Sequence, residues 1–209
     1  NKEVAIKVLK EDQGMEAFQE EGKALLELQH ENIVRVFALF SEPEPAVVTE
    51  WMPGGTLTDF LQQCRKENGG RAKSWDDVML KIALGMGRGL EYLHGKGIVH
   101  RDMKSPNVLL GKDHRAVLID FGMSKAGDSK SVIASKTLGT YYWMSPEMIE
   151  HQKFSFASDI YALGIILWEM NACELPYKNL SSLMVPGEVM KGNRPAVDAA
   201  WPRKISDLM

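Results

Sequence analysis

His100-Arg101-Asp102-Met103-Lys104-Ser105-Pro106-Asn107, followed by Asp120-Phe121-Gly122, is the stretch on which the fold turns. A cation, Lys104, stands two residues after Asp102, and an amide, Asn107, five residues after it. Asp120 comes 18 residues past Asp102. Between them lie two short apolar runs, 108–110 and 116–119, around the turn Gly111-Lys112-Asp113, which reads as a strand hairpin. Either tripeptide alone arises by chance, and a lone Asp-Phe-Gly reads as a turn. Both together, at this spacing around a hairpin, are specific. A carboxylate to take a hydroxyl proton, a lysine near phosphate, and an Asn with an Asp to hold a metal make a phosphoryl-transfer set. Few hard oxygen ligands, with phosphate oxygens completing the shell, select Mg²⁺.

On the N-terminal side, 4–9 is a short β-branched run and reads as a strand. Residues 15–28 read as a helix, with Met15, Phe18, Leu25 and Leu28 on one stripe. Two more strands are expected over 33–40 and 46–50, separated by the turn Ser41-Glu42-Pro43-Glu44-Pro45. Pro53-Gly54-Gly55 then breaks the chain, and the pattern becomes mainly helical. One helix spans 56–66 and stops at Asn68-Gly69-Gly70. A longer one is capped by Ser74, with Asp76 and Asp77 in its first turn and a stripe of Trp75, Val78, Ile82, Met86, Leu90 and Leu93. Gly85-Met86-Gly87-Arg88-Gly89 is rich enough in glycine for a phosphate loop, but the apolar stripe runs through it, so close helix packing is the expected role. Further helices are expected over 158–170, 183–191 and from Trp201 onward.

The chain has 209 residues, 44% hydrophobic and 25% charged, which excludes whole-chain disorder. A net charge of -3 supplies no basic field for nucleic acid or an anionic membrane. The apolar stretch 161–170 is far short of the roughly 20 residues a spanning helix needs. Two cysteines, Cys64 and Cys173, make no disulfide scaffold, and the five histidines show no metal-ligand spacing. With no charged-then-apolar leader at Asn1-Lys2-Glu3, the expected location is cytoplasmic, with no membrane insertion.

In order, Val4-Ala5-Ile6-Lys7, His100 to Asn107, Asp120-Phe121-Gly122, Ser145-Pro146-Glu147 and Ser158-Asp159-Ile160-Tyr161-Ala162-Leu163-Gly164 resemble the blocks of the eukaryotic protein kinase catalytic domain. The resemblance covers nearly the whole chain, with Ser145 where the family usually has Ala. It implies an α+β, two-lobed fold: a small β-rich lobe with its connection over 1–52, and a larger helical lobe over 53–209. It implies that Lys7 pairs the ATP α/β-phosphates, that Asp102 and Lys104 are catalytic, and that Asn107 and Asp120 hold Mg²⁺. Thr49 takes the gatekeeper position. The Glu50 carbonyl and the Met52 backbone would bond adenine, and Ala5 and Leu109 would sandwich it. His100 would pack beneath Phe121.

Lys7 needs a carboxylate to hold it towards phosphate, and Glu20 and Glu21 are both available. The stripe Phe18, Leu25, Leu28 has a gap that position 21 fills. Glu21 therefore points inward, where a carboxylate is costly unless paired, and Lys7–Glu21 is the expected ion pair. The alternative has Gly22 completing the stripe and Glu21 in solvent.

Lys104 and Gly139-Thr140 resemble serine/threonine kinases, whereas Trp143-Met144, Leu167-Trp168-Glu169 and Gly192-Asn193-Arg194-Pro195 resemble the tyrosine kinase branch. The combination resembles the tyrosine-kinase-like group of serine/threonine kinases. The expected activity is transfer of the ATP γ-phosphate to Ser/Thr of a protein, with tyrosine or dual specificity as an alternative. An upstream kinase acting at Ser135 or Thr137 would create a phosphate for Arg101 to pair. The resemblance also puts the family's glycine-rich loop before Asn1 and the arginine partner of Glu147 beyond Met209. The chain thus reads as a fragment cut at both ends, and an inactive or pseudokinase-like interaction module is the rival reading. A small-molecule kinase is disfavoured by Ser145-Pro146-Glu147 and the helical tail.

Overall fold

The structure is a computed structural model and describes residues 3–8, 25–69, 75, 77–121, 140–201 and 203–207. Val4–Val8 (β1), Val36–Phe40 (β2) and Ala46–Glu50 (β3) form an antiparallel sheet in the order β1-β3-β2. β1 pairs with β3 in a register that sets Ala5 opposite Thr49 and Lys7 opposite Val47. Ala5 and Lys7 share one face of β1, because alternate side chains of a strand point the same way. Of the helix expected over 15–28, only the end from Leu25 is described, and Leu25 and Leu28 are buried there.

Pro53-Gly54-Gly55 leads out of the sheet. Gly54 N donates to Leu110 O and Leu110 N to Gly55 O, both at 2.9 Å. A Cβ on Gly54 would sit 2.6 Å from the Leu110 carbonyl oxygen, so only glycine allows this approach. Thr56 then caps α1, Leu57–Glu67, through a reciprocal box with Asp59. α2 is Asp77–Gly95; Trp75 precedes it, and Ser74 and Asp76 lie outside the described residues. Its buried face includes Met79, Ile82, Met86, Leu90 and Leu93, together with Gly85 and Gly89. The two glycines admit Asn32 and Leu118: a Cβ would lie 2.8 Å from Asn32 Nδ2 at Gly85 and 2.9 Å from Leu118 Cδ1 at Gly89. The glycine-rich run is a packing device, as its apolar stripe predicts.

A 3₁₀ turn, Ser105–Asn107, leads into β4, Val108–Leu110, which pairs antiparallel with β5, Ala116–Leu118. The sequence predicts a strand over 33–40, but the β2 ladder begins only at Val36. Val34 N donates to Leu118 O at 3.0 Å and Leu118 N to Asn32 O at 2.9 Å. Residues 32–34 are therefore claimed by β5, a tertiary pairing that overrides local strand propensity.

A second 3₁₀ turn, Thr140–Trp143, precedes α3, Pro146–His151. α4, Phe156–Ala172, starts from a Ser155–Ser158 capping box. It is apolar on nearly every side and buried, as a helix at the centre of a lobe should be. α5, Val185–Met190, and α6, Arg203–Ser206, complete the larger unit. A small antiparallel sheet beside a mainly helical body is the two-lobed α+β arrangement expected.

Candidate active site

Asp102 and Asn107 are brought together by the 3₁₀ turn between them. Asn107 Nδ2 donates to the Asp102 carbonyl at 2.8 Å and to Asp102 Oδ2 at 2.9 Å. Lys104 Nζ lies 2.8 Å from that same Oδ2. The side chains of Asp102, Lys104 and Asn107 thus converge on one oxygen.

The entry to this loop is held by α4. Asp159, 2% exposed, accepts from His100 N at 2.8 Å through Oδ2 and from Arg101 N at 2.9 Å through Oδ1. His94 Nε2 lies 2.9 Å from Asp159 Oδ2. Arg101 has φ +69°, a left-handed conformation that a non-glycine residue keeps only when its surroundings hold it. The paired Arg101 amide is that hold. The sequence places Asp159 in a central helix but assigns it no task. The available signal was a carboxylate in the first turn of a helix otherwise too apolar to face water.

Asp120 follows β5 at φ +59°. Ile119 N donates to Asn107 O at 3.0 Å, which ties the residue before Asp120 to Asn107 at one end of the β4–β5 ribbon. Across from it, Lys7 Nζ reaches Asp120 Oδ1 at 2.6 Å. Glu21, the expected partner of Lys7, lies outside the described residues, as do Gly122, Ser135 and Thr137. Phe121 is buried, with its ring edge-on to His100 at 5.9 Å and 61°.

Of the expected adenine-binding residues, Ala5, Thr49 and Glu50 lie on the sheet, Met52 on the connection out of it, and Leu109 on β4 of the ribbon. Ala5 and Thr49 are register partners on β1 and β3. Thr49 Oγ1 donates to Glu50 O at 3.3 Å, and Met52 is buried. Leu109 bridges Thr56, and the alternation along β4 leaves it half-open between buried Val108 and Leu110. The Glu50 side chain has its own work: Oε1 accepts from Arg35 N at 3.0 Å and Oε2 lies 3.3 Å from Arg115 Nη2. A groove of about 450 Å³ lined by Arg35, Phe37, Glu50, Trp51, Met52 and Arg115 opens beside this connection.

The exit of the loop is held by a second buried acid of α4. Glu169 Oε1 accepts from Ser105 Oγ at 2.7 Å, and Oε2 accepts from Trp143 Nε1 at 3.1 Å. Burial pushes its carboxyl up to about 7, against the lowering effect of the two hydrogen bonds. In the sequence Glu169 stands out only as part of Leu167-Trp168-Glu169, which resembles the tyrosine kinase branch.

The donor set fits a phosphate-bound hard cation. Asp120 and Asn107 offer oxygen ligands at adjacent backbone positions, and no cluster of three or more His, Cys, Asp or Glu able to hold a metal by itself occurs among the described residues. A cation placed there would draw its remaining ligands from phosphate and water, the usual habit of Mg²⁺. No described helix is long and apolar enough to cross a membrane.

The family model "protein tyrosine and serine/threonine kinase" matches residues 1–209. The chain belongs to the protein kinase family. It is 38% identical to a probable serine/threonine-protein kinase of Dictyostelium discoideum over 99% of this chain and 22% of that one. It is 34% identical to the serine/threonine-protein kinase STY46 of Arabidopsis thaliana, over 100% of this chain and 36% of that protein. The human tyrosine-protein kinase ABL2 is 33% identical over 99% of this chain and 17% of its own length. The chain therefore spans about a fifth to a third of the first curated relatives it matches. Kinase family membership carries with it ATP, a divalent metal and a protein substrate as general requirements.

Proposed function

We propose that this protein transfers the ATP γ-phosphate to serine and threonine hydroxyls of protein substrates. The observation that carries the reading is the convergence of Lys104 Nζ and Asn107 Nδ2 on Asp102 Oδ2, at 2.8 and 2.9 Å. Such a carboxylate is oriented to accept the proton of an incoming hydroxyl, while Lys104 offsets charge on the phosphoryl group in transfer. Lys7, on the strand face it shares with Ala5, grips the α/β-phosphates with Glu21 as its partner. Asn107 and Asp120 would hold Mg²⁺, which when bound neutralises phosphate charge. Ala5, Thr49, Glu50, Met52 and Leu109 frame the adenine. Most of the rate enhancement comes from positioning and electrostatics.

Serine/threonine specificity is supported by Lys104 and by the similarity to the Dictyostelium and Arabidopsis serine/threonine-protein kinases. The working boundary between lobes falls at 52/53, an upstream kinase acts at Ser135 or Thr137, and the protein works in the cytoplasm. The test supplies full-length protein with Mg²⁺, radiolabelled ATP and peptide pools containing Ser, Thr or Tyr as the sole acceptor. Label on Ser and Thr pools is expected. Label on the Tyr pool alone would overturn the specificity, and no transfer to any pool would favour an interaction module.

A further inference from the structure

Among the described residues Glu169 has no ion pair: its partners are Ser105 and Trp143, both neutral donors. It sits in the middle of the large lobe at 3% exposure. A carboxylate there costs more than an apolar side chain of the same size, so packing alone does not account for it. What it joins does. Ser105 opens the 3₁₀ turn that ends at Asn107, which in turn holds Asp102. Trp143 ends the turn that precedes Ser145-Pro146-Glu147, and its ring meets Tyr142 edge-on at 5.8 Å. Tyr142 Oη in turn donates to Leu180 O at 3.4 Å. One carboxylate thus spans the loop bearing Asp102 and the segment leading into α3.

The hydrogen bonds continue to α1. Thr58 Oγ1 lies 2.7 Å from Ser105 Oγ. Because Ser105 donates to Glu169, it accepts from Thr58. The chain therefore runs from Thr58 to Ser105 to Glu169, with Trp143 joining from the other side.

We propose that Glu169 is a positioning residue for phosphoryl transfer, which registers the Asp102–Asn107 loop against the Trp143 segment by hydrogen bonding both. The proposal rests on the kinase reading above. Glu169 touches no reacting atom and acts through Ser105 and Trp143. Its loss is expected to lower kcat through misplacement of Asp102 relative to the acceptor, and to leave the nucleotide contacts of Lys7 intact.

The chemistry of the partners makes the idea separable from a general structural role. Glutamine at this position keeps both bonds. Its carbonyl accepts from Trp143, its amide donates to Ser105, and Ser105 turns to donate to Thr58. Methionine fills the same space and keeps neither. The experiment compares full-length wild type, Glu169→Gln and Glu169→Met for thermal melting, MgATP affinity, and kcat and KM for a peptide. Glu169→Met is expected to fold and bind MgATP as wild type does, with kcat about tenfold or more lower. Glu169→Gln is expected to restore most of kcat. Wild-type kcat in Glu169→Met overturns the proposal, and so does a Glu169→Gln protein as slow as Glu169→Met. If Glu169→Met does not fold, Ser105→Ala and Trp143→Phe carry the test. Both must lower kcat, and wild-type kcat in either overturns it. A wild type that transfers no phosphate overturns the kinase reading instead, and is recognised before any variant is compared.

Discussion

Lys7 Nζ lies 2.6 Å from Asp120 Oδ1, although 113 positions separate them in the chain. The pair joins the small sheet to the end of the β4–β5 ribbon. Both side chains remain open to solvent, at 52% and 37% exposure. An ion pair this exposed contributes about 0–1 kcal/mol to stability. Lys7→Met is therefore expected to shift the melting temperature by no more than about 4 °C. Its effect should fall on nucleotide affinity, measured by titration with MgATP. Unchanged affinity would remove Lys7 from the nucleotide site.

Asp102→Asn keeps the main-chain carbonyl that Asn107 holds but removes the proton acceptor. Turnover should drop by about 10²–10⁴-fold, the usual value of a general base. MgATP affinity should stay at the wild-type level. Normal turnover in this variant would be incompatible with the role given to Asp102.

Asp159→Ala takes the acceptor away from two main-chain amides, those of His100 and Arg101. Leaving such groups buried and unpaired costs about 3 kcal/mol in all. Calorimetry should show a melting temperature lower by roughly 6–12 °C. Loss of the hold on Arg101 should also release its left-handed backbone. A variant as stable as wild type would show that the loop keeps its shape without α4.

The Glu169 carboxyl has an ordinary value of 4.5 and is raised by burial to about 7 in the folded protein. The folded state then binds more protons than the unfolded state between these values. Stability should fall as pH rises from 4.5 to about 7 and level off above, by about 3 kcal/mol in total. Glu169→Gln carries no such proton and should lack this slope. Urea unfolding of both proteins at about pH 5 and pH 8 makes the comparison. Parallel pH profiles would mean that Glu169 does not titrate in this range.

Gly87 and Gly89 sit two residues apart on α2 and should respond to alanine with opposite signs. A Cβ at Gly87 meets nothing within 4 Å, while one at Gly89 falls 2.9 Å from both Asn32 O and Leu118 Cδ1. Gly87→Ala should stabilise by up to about 1 kcal/mol through helix propensity. Gly89→Ala should destabilise by about 1–3 kcal/mol through overpacking. Denaturant midpoints would read both.

Residues whose chemistry is tied to a fixed local spacing are legible in the sequence alone. Asp102, Lys104 and Asn107 lie within six consecutive positions, so their convergence follows from one turn. The β4–β5 pair follows from two short apolar runs around a turn, whereas β1 and β3 are legible as strands but their pairing, about 40 positions apart, is not. The tasks of Asp159 and Glu169 were not legible, because their partners lie 58 to 65 positions and 26 to 64 positions away respectively. Nothing within a helix says which distant amide or hydroxyl its carboxylate will meet. For the same reason residues 33 and 34 read as the start of a strand: their own propensity is right, but β5 claims them.

Asn32 to Val34 belong to β5 of the large unit, and from Val36 the chain belongs to the small sheet. Arg35 is the step between. Its amide bonds Glu50 Oε1 and its carbonyl accepts from Glu50 N, each at 3.0 Å, where the chain leaves the sheet again. Among the described residues, inbound and outbound crossings are thus latched side by side at one point. Such a joint works as a clasp: the same two residues, Arg35 and Glu50, fasten both crossings. Lys7 and Asp120, which meet between the sheet and the β4–β5 ribbon, therefore belong to two units that this one clasp fastens together.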